Sequence, residues 1–92
     1  MIIKICGIKN TKILSCCEKL NVDFFGLIFY EKSPRYISNE IAKNLINFSN
    51  NLKIKPVGVF VNKKIEEIIN IISNLNLNYI QLHGDENQEY ID

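Results

Sequence analysis

Hydrophobic and polar positions follow two alternating periods along the chain. Compact apolar runs at residues 2–6, 24–29, 56–61 and 79–82 are typical of strands buried on both faces. Between these runs the apolar residues recur at helical spacing, and Asp85 and Glu86 would open a fourth helix. The predicted order is βαβαβαβ followed by the start of a helix. Alternation of this kind predicts a parallel sheet covered by helices.

Each of the first three predicted helices has one apolar stripe that should face the sheet. Ser38 and Asn62 are predicted to cap the second and third helices, because each residue stands just before such a stripe. The residues predicted on the three stripes are Ile13, Leu14, Cys17 and Leu20, then Ile41, Leu45 and Phe48, then Ile65, Ile68, Ile69, Ile72 and Leu75.

The connection after the second strand is longer than a simple link requires. The second and third apolar runs begin at residues 24 and 56, and the polar segment 30–37, which contains Pro34, occupies much of this interval. Enlarged loops in α/β proteins often carry function, and functional sites lie at the carboxyl ends of the strands. We therefore expect segment 30–37 to belong to a site.

The chain reaches residue 92 about two turns into the fourth predicted helix. Four βα units are half of an eight-unit barrel, which typically needs about 200 residues or more. We expect residues 1–92 to be one partial domain, a parallel (βα)4 half of a TIM (β/α)8 barrel. In this interpretation the chain is truncated and its fourth helix is incomplete.

Composition argues against several classes of partner and of protein. The chain is 47% hydrophobic and 23% charged with a formal net charge of +1, which gives no electrostatic reason to expect binding to nucleic acid or to an anionic membrane. No apolar run approaches the roughly 18 residues of a membrane span, and the first apolar run is too short for a signal peptide. The three cysteines form neither a disulfide framework nor a CxxC pair. We predict a cytoplasmic protein.

Polar side chains mark the ends of the first and last strands. Because side chains alternate across a strand, Lys4 and Cys6 share one side of the first strand, and Gln81 and His83 share one side of the last. In a barrel these four should face inward, with Cys6 and His83 at the rim. The neighbours predicted to point toward the helices are Ile3, Ile5, Ile80 and Leu82.

Cys6 admits two interpretations. An isolated cysteine is most often a small buried hydrophobe. It is also a candidate general base or nucleophile, since a thiol ionises more readily beside a cation and Lys4 lies on the same side of the strand. Gly7 would leave open space above the sulfur for a substrate.

The remaining polar candidates are His83 and Arg35. His83 is the chain's only histidine, and its position before Gly84 at a strand end makes a structural and a catalytic role about equally plausible. Arg35 is the only arginine, and its planar guanidinium suits capture of a carboxylate or phosphate. No metal site is expected, and the chain lacks the glycine-rich loops that bind nucleotide cofactors.

Four segments carry a resemblance to one family. Residues 4–8, 26–37, 57–62 and 81–86 contain KICGI, GLIFY with SPRYI, VGVFVN and QLHGDE. In order and spacing they resemble the phosphoribosylanthranilate isomerases of tryptophan biosynthesis, and together they span essentially the whole chain. Lys9 stands where that family often has threonine.

The resemblance implies a (β/α)8 barrel and an Amadori rearrangement of N-(5-phosphoribosyl)anthranilate without metal or organic cofactor. By match, Cys6 would be the general base that takes the proton from C2′ of the opened sugar. Arg35 would hold the anthranilate carboxylate, and His83, Lys4 and Gln81 would line the substrate site. The expected ligand is a small phosphosugar-anthranilate, with no nucleic acid or membrane partner.

The family's general acid is an aspartate on a later strand, and its phosphate site lies in the last two βα loops. Neither Asp85 nor Asp92 substitutes for that acid, so the chain alone is expected to be inactive. Its partner would be a missing carboxyl-terminal half or a second copy. Another phosphosugar barrel, such as an epimerase, fits the SPRY loop poorly. The remaining alternative is a non-catalytic (βα)4 domain that self-associates or binds a phosphorylated ligand.

Overall fold

Four parallel strands alternate with three helices in the computed structural model, which describes residues 2–83. The elements are β1 Lys4–Cys6, α1 Thr11–Lys19, β2 Phe24–Ile28, α2 Asn39–Ser49, β3 Lys55–Val61, α3 Ile65–Leu75 and β4 Ile80–His83. The strands pair in the order β1-β2-β3-β4. The βα alternation predicted from the sequence is confirmed through β4. The predicted fourth helix, with Asp85 and Glu86, lies outside the described residues.

The strand register assigns residues to the two faces of the sheet. Cys6 pairs with Gly26, and Gly26 pairs with Val57, so these three share one face. Ile5 pairs with Phe25, which is fully buried on the opposite, helix-covered face. Parallel pairing at every step means that all four carboxyl strand ends lie at one edge of the sheet.

The hydrophobic core lies between the helices and the helix-covered face of the sheet. Its most completely buried side chains come from the strands, the helices and their connections, and they are Phe25, Phe29, Phe60, Leu14, Leu27, Leu45 and Ile54. Leu82 packs against this core, as predicted from strand alternation. Ile3, Ile5 and Ile80 were expected to do the same but remain about 40% exposed. Ile3 and Ile5 belong to the β1 side of the sheet and Ile80 to β4, and these are the two edge strands.

One predicted helix cap is confirmed and one is wrong. Ser38 caps α2, and its Oγ accepts a hydrogen bond from the backbone N–H of Ile41 at 3.3 Å. Asn62 does not cap α3, because the helix begins at Ile65 after Lys64. Asn62 instead has a left-handed φ of 49°, a conformation that asparagine tolerates better than most residues. Its role is to turn the chain out of β3.

The helix stripes are only partly as predicted. Leu14, Cys17, Leu45, Ile68 and Leu75 are buried, as expected. The predicted stripe residues that are at least 40% exposed are Ile13, Leu20, Ile41, Phe48, Ile65 and Ile69. The buried residues of α2 are instead Ala42, Leu45, Ile46 and Ser49, so the helix is rotated from the predicted orientation.

Within residues 2–83, none of the helices is long and apolar enough to cross a lipid bilayer.

Candidate functional site

Cys6 ends β1 on the sheet face that the helices do not cover, and it is half-buried. Its sulfur lies over Gly26 of the neighbouring strand, because a Cβ added at Gly26 would come within 2.7 Å of Sγ and 3.2 Å of the Cys6 Cα. A side chain at that position would displace the cysteine. The missing side chain of Gly26 therefore creates the space in which the thiol sits.

Gly7 follows Cys6 and turns the chain out of β1. Its φ of +86° is strained for any residue with a side chain, and its N–H donates to the Gly26 carbonyl at 3.1 Å. A Cβ at Gly7 would lie 2.5 Å from Cδ and 3.2 Å from Cγ of Arg35. The alkyl stem of Arg35 thus lies over Gly7. The space predicted to stay open for substrate is filled by Arg35 at this point.

Segment 30–37 is a folded loop made of two successive turns. The Ser33 N–H donates to the Tyr30 carbonyl at 3.0 Å, and the Tyr36 N–H donates to the Ser33 carbonyl at 3.1 Å. The Ser33 side chain also accepts from the Arg35 N–H at 3.0 Å. Ile37 then returns to the sheet and donates to the Ile28 carbonyl at 3.0 Å. These bonds give the loop a defined path that carries Arg35 back over β1.

The loop is tied to the loops on both sides of it. On one side the Lys9 ammonium donates to the Pro34 carbonyl at 2.8 Å. On the other side the Lys63 ammonium pairs with Glu31 at 3.4 Å. A hydrogen bond from its own backbone N–H, and then the Lys63 charge, lower the pKa of Glu31 below its ordinary value. Three consecutive βα loops are therefore linked at the carboxyl edge of the sheet.

The structure brings some of the predicted site residues together and separates others. Arg35 lies over Gly7, the residue that directly follows Cys6. Lys4 and Gln81 are exposed, and their register places both on the same sheet face as Cys6, but on opposite edge strands. The backbone of His83 ends β4 opposite Val61, so β2 and β3 lie between it and Cys6. The predicted sharing of one ligand by Cys6 and His83 is not tested by this arrangement.

Sequence reasoning missed the parts played by Gly26, Lys9 and Lys63. Gly26 interrupts an otherwise large-residue strand, FFGLI, and a glycine inside a strand often marks close approach of another group. That signal was available. The contacts of Lys9 and Lys63 join residues 25 and 32 positions apart in sequence, and no local pattern predicts them.

A comparison with known protein families gives a match over nearly the whole chain. Residues 3–92 match the family described as N-(5'phosphoribosyl)anthranilate (PRA) isomerase. The chain belongs to this family of barrel isomerases.

The relatives agree with the family assignment. The tryptophan biosynthesis protein TrpCF of Buchnera aphidicola is 43% identical over 89 residues, which are 97% of this chain and 19% of that protein. The N-(5'-phosphoribosyl)anthranilate isomerase of Thermoanaerobacter sp. is 42% identical over 90 residues, which are 98% of this chain and 43% of that protein. The chain thus spans less than half the length of these relatives.

Solved structures give the same result for the fold. The crystal structure of phosphoribosyl anthranilate isomerase from Thermotoga maritima has a TM-score of 0.89 at 40% identity, and the match covers 98% of this chain and 44% of that one. A complex of phosphoribosyl anthranilate isomerase with reduced 1-(o-carboxyphenylamino)-1-deoxyribulose 5-phosphate has a TM-score of 0.85 at 41% identity, covering 98% and 46%. The prediction of part of a TIM barrel is confirmed for the four parallel strands and three helices that the structure describes.

Proposed function

We propose that this chain supplies the amino-terminal part of the active site of a tryptophan-biosynthesis isomerase. The reaction is the Amadori rearrangement of N-(5-phosphoribosyl)anthranilate to 1-(2-carboxyphenylamino)-1-deoxyribulose 5-phosphate. The observation that carries the proposal is the contact of the Arg35 stem with Gly7, directly after Cys6. It places the Arg35 side chain beside the strand end that carries Cys6, in a chain that belongs to the isomerase family.

In this proposal Cys6 is the general base. Ring opening requires an acid that protonates the furanose oxygen, and the next step requires a base that removes the proton from C2′. The Cys6 thiolate takes that proton, and the C2′ electrons move toward C1′ and the anilino nitrogen to give the enolamine. The position of Cys6 supports this role, since Sγ is held over Gly26 on the open sheet face and is half-buried.

Arg35 is proposed to bind the anthranilate carboxylate. A guanidinium forms two parallel hydrogen bonds with a carboxylate, and this geometry requires that its plane be oriented. Packing of the stem over Gly7 restricts the rotamers of Arg35 and supports the assignment. Lys4, Gln81 and His83 are proposed to line the same substrate site, Lys4 and Gln81 from the face that carries Cys6.

The general acid and the phosphate site are proposed to lie on the polypeptide that completes the barrel. The resemblance places both beyond the span that this chain shares with its relatives. Three isoleucines on the β1 and β4 sides of the sheet, Ile3, Ile5 and Ile80, are 38–40% exposed and would pack against that polypeptide. We therefore propose that the 92-residue chain has no measurable isomerase activity by itself.

A complementation assay tests the proposal. The chain would be assayed for isomerase turnover alone and with a separate polypeptide made of the remainder of the Thermoanaerobacter relative, beyond its matched segment. We expect turnover only when both polypeptides are present. Turnover by the chain alone would contradict the proposal. A stable mixture of the two polypeptides that shows no turnover would also contradict it.

The alternative (βα)4 domain predicts a different result in the same experiment. If two copies pair through their exposed edges, sedimentation of the chain alone should show a discrete dimer. Such a dimer would not be converted to an active enzyme by the second polypeptide. A cytoplasmic location stays a prediction from the sequence.

A further inference from the structure

The peptide group between Pro34 and Arg35 is held at both of its polar ends. Its carbonyl oxygen accepts a hydrogen bond from the Lys9 ammonium at 2.8 Å, and its N–H donates to the Ser33 hydroxyl at 3.0 Å. A peptide group is planar, so fixing both ends fixes the orientation of the plane. This plane sets the direction in which the Arg35 side chain leaves the backbone.

Two further constraints act on the same segment. The ring of Pro34 limits its φ to about −65°, which removes one of the two soft dihedrals before the held peptide. The Arg35 stem packs on Gly7, two residues before Lys9 in the loop that follows Cys6. Lys9 thus fixes the backbone of Arg35, and Gly7 fixes its stem. Both residues belong to the short segment that directly follows Cys6.

We propose that Lys9 is a positioning residue that sets Arg35 relative to Cys6. This inference rests on the proposed function and deepens it. The distance between the carboxylate-binding group and the base determines how the substrate is oriented toward Cys6. Lys9 acts through the Pro34 carbonyl.

Charge alone is the competing explanation for Lys9. An exposed lysine near an anionic substrate raises the rate of encounter, and this effect weakens with salt. Lys12, exposed in the first turn of α1, provides the matched comparison, because Lys12→Met removes an equal charge three residues away. Lys9→Arg retains both the charge and the hydrogen-bond donors.

Amide hydrogen exchange of the 92-residue chain provides a test that does not depend on activity. The hydrogen-bonded amides that follow Pro34 in the loop are those of Arg35, Tyr36 and Ile37. Lys9→Met should raise their exchange about fivefold to tenfold, as expected for one lost hydrogen bond of ordinary strength, and leave the α2 amides unchanged. Lys9→Arg should restore protection, and Lys12→Met should behave as wild type.

Steady-state kinetics of the complemented enzyme then tests the link to Arg35. Lys9→Met should raise KM about tenfold and change kcat by less than about threefold, because it loosens a group that binds substrate before and during the reaction. Lys9→Arg should recover most of the loss at low and high salt.

Three results would overturn the proposal. They are unchanged exchange in the loop of Lys9→Met, an equal rise in exchange throughout the chain, and an equal KM effect in Lys12→Met. If the wild-type mixture shows no turnover, the proposed isomerase function fails, while the exchange data still decide whether Lys9 holds the Arg35 peptide.

Discussion

The carboxyl edge of the sheet, where the strands end, and the amino edge, where they begin, use polar groups in different ways. At the carboxyl edge, long side chains reach from one βα loop to the next, with Lys9 on the Pro34 carbonyl and Lys63 on Glu31. The backbone there forms two successive turns. These contacts tie neighbouring loops together, and they define the surroundings of Arg35.

At the amino edge the polar groups satisfy the backbone itself. The Asp23 carboxylate accepts a hydrogen bond from the Ile3 N–H at 2.8 Å, and the Asp23 N–H donates to the Ile3 carbonyl at 2.9 Å. The Asp23 carbonyl accepts a hydrogen bond from the Lys55 N–H at 3.0 Å. One residue thus joins the starts of three strands. The comparison teaches that the same barrel architecture assigns stability to one edge and side-chain placement to the other.

The largest effect should come from removing the thiol at the carboxyl edge. In the complemented enzyme, Cys6→Ala is expected to lower kcat about 10³-fold, since general base catalysis contributes about 10²- to 10⁴-fold. The urea midpoint of unfolding should change little, because Cys6 is only half-buried. Cys16→Ala, at an exposed position on α1, is the matched control and should retain full activity. Equal activity of the two variants would remove Cys6 from the proposed mechanism.

Two glycine substitutions sharpen the comparison within the sheet itself. Gly26→Ala places a methyl group 2.7 Å from the Cys6 sulfur and 3.2 Å from its Cα, so the thiol must move. We expect kcat to fall about 10- to 100-fold, the usual penalty for a misplacement near 1 Å.

Gly58→Ala is the control for overpacking on the other sheet face. Its methyl group would meet Leu77 at 2.9 Å and Phe60 at 3.1 Å, within the core. We expect a loss of about 1–3 kcal/mol in the free energy of unfolding, typical of overpacking, without a change in kcat. If both glycine variants lose activity to the same extent, the two faces do not have separate roles.

The amino edge should respond in stability alone. Asp23→Ala removes the acceptor of the Ile3 N–H and should reduce the free energy of unfolding by about 1.5–3 kcal/mol, the range for a lost hydrogen bond that involves a charged group. Urea denaturation followed by circular dichroism measures this loss, and Asp23→Asn should recover part of it. KM of the complemented enzyme should stay unchanged, and a raised KM would contradict the division between the two edges.

The sequence predicted the order of strands and helices because the pattern of apolar runs is local. It did not predict the rotation of the helices. For α2, helical spacing favoured a stripe with Ile41 and Phe48, but Ala42, Ile46 and Ser49 are buried beside Leu45. Which face of a helix is buried depends on the shape of the partner surface. Leu45 lies on both stripes and was therefore identified correctly.

The sequence predicted only those site residues that stand at a strand end or in the enlarged loop. Cys6 and Gly7 follow an apolar run, and Arg35 stands out as the only arginine in an enlarged loop. Their contact could not be predicted, because it depends on the path of segment 30–37 through two turns. The hydrogen bond of Lys9 depends on that same path.

The smallest effect should be the pH dependence contributed by Glu31. Its folded-state pKa lies below its ordinary value of 4.5, because its own backbone N–H and then the Lys63 charge favour the carboxylate. A lowered pKa stabilises the folded chain at pH above 4.5, and this contribution disappears as the pH falls through the folded-state pKa. Glu31→Gln should therefore lose a few tenths of a kcal/mol at pH 7, as exposed ion pairs usually do, and match wild type in acid.

A double-mutant comparison separates the two causes of the lowered pKa. In a Lys63→Met background, Glu31→Gln should cost less at pH 7 than in wild type, and the remaining difference reports the backbone hydrogen bond. About 1 M salt should reduce the part that depends on Lys63, since it shortens the screening length to about 3 Å, close to the 3.4 Å between the Lys63 ammonium and the Glu31 carboxylate. A cost that is independent of pH between 3 and 7 would show that Glu31 contributes by packing. In that case the tie between the second and third βα loops would not be electrostatic, and Lys9 would be the one charged side chain that fixes segment 30–37 within the described residues.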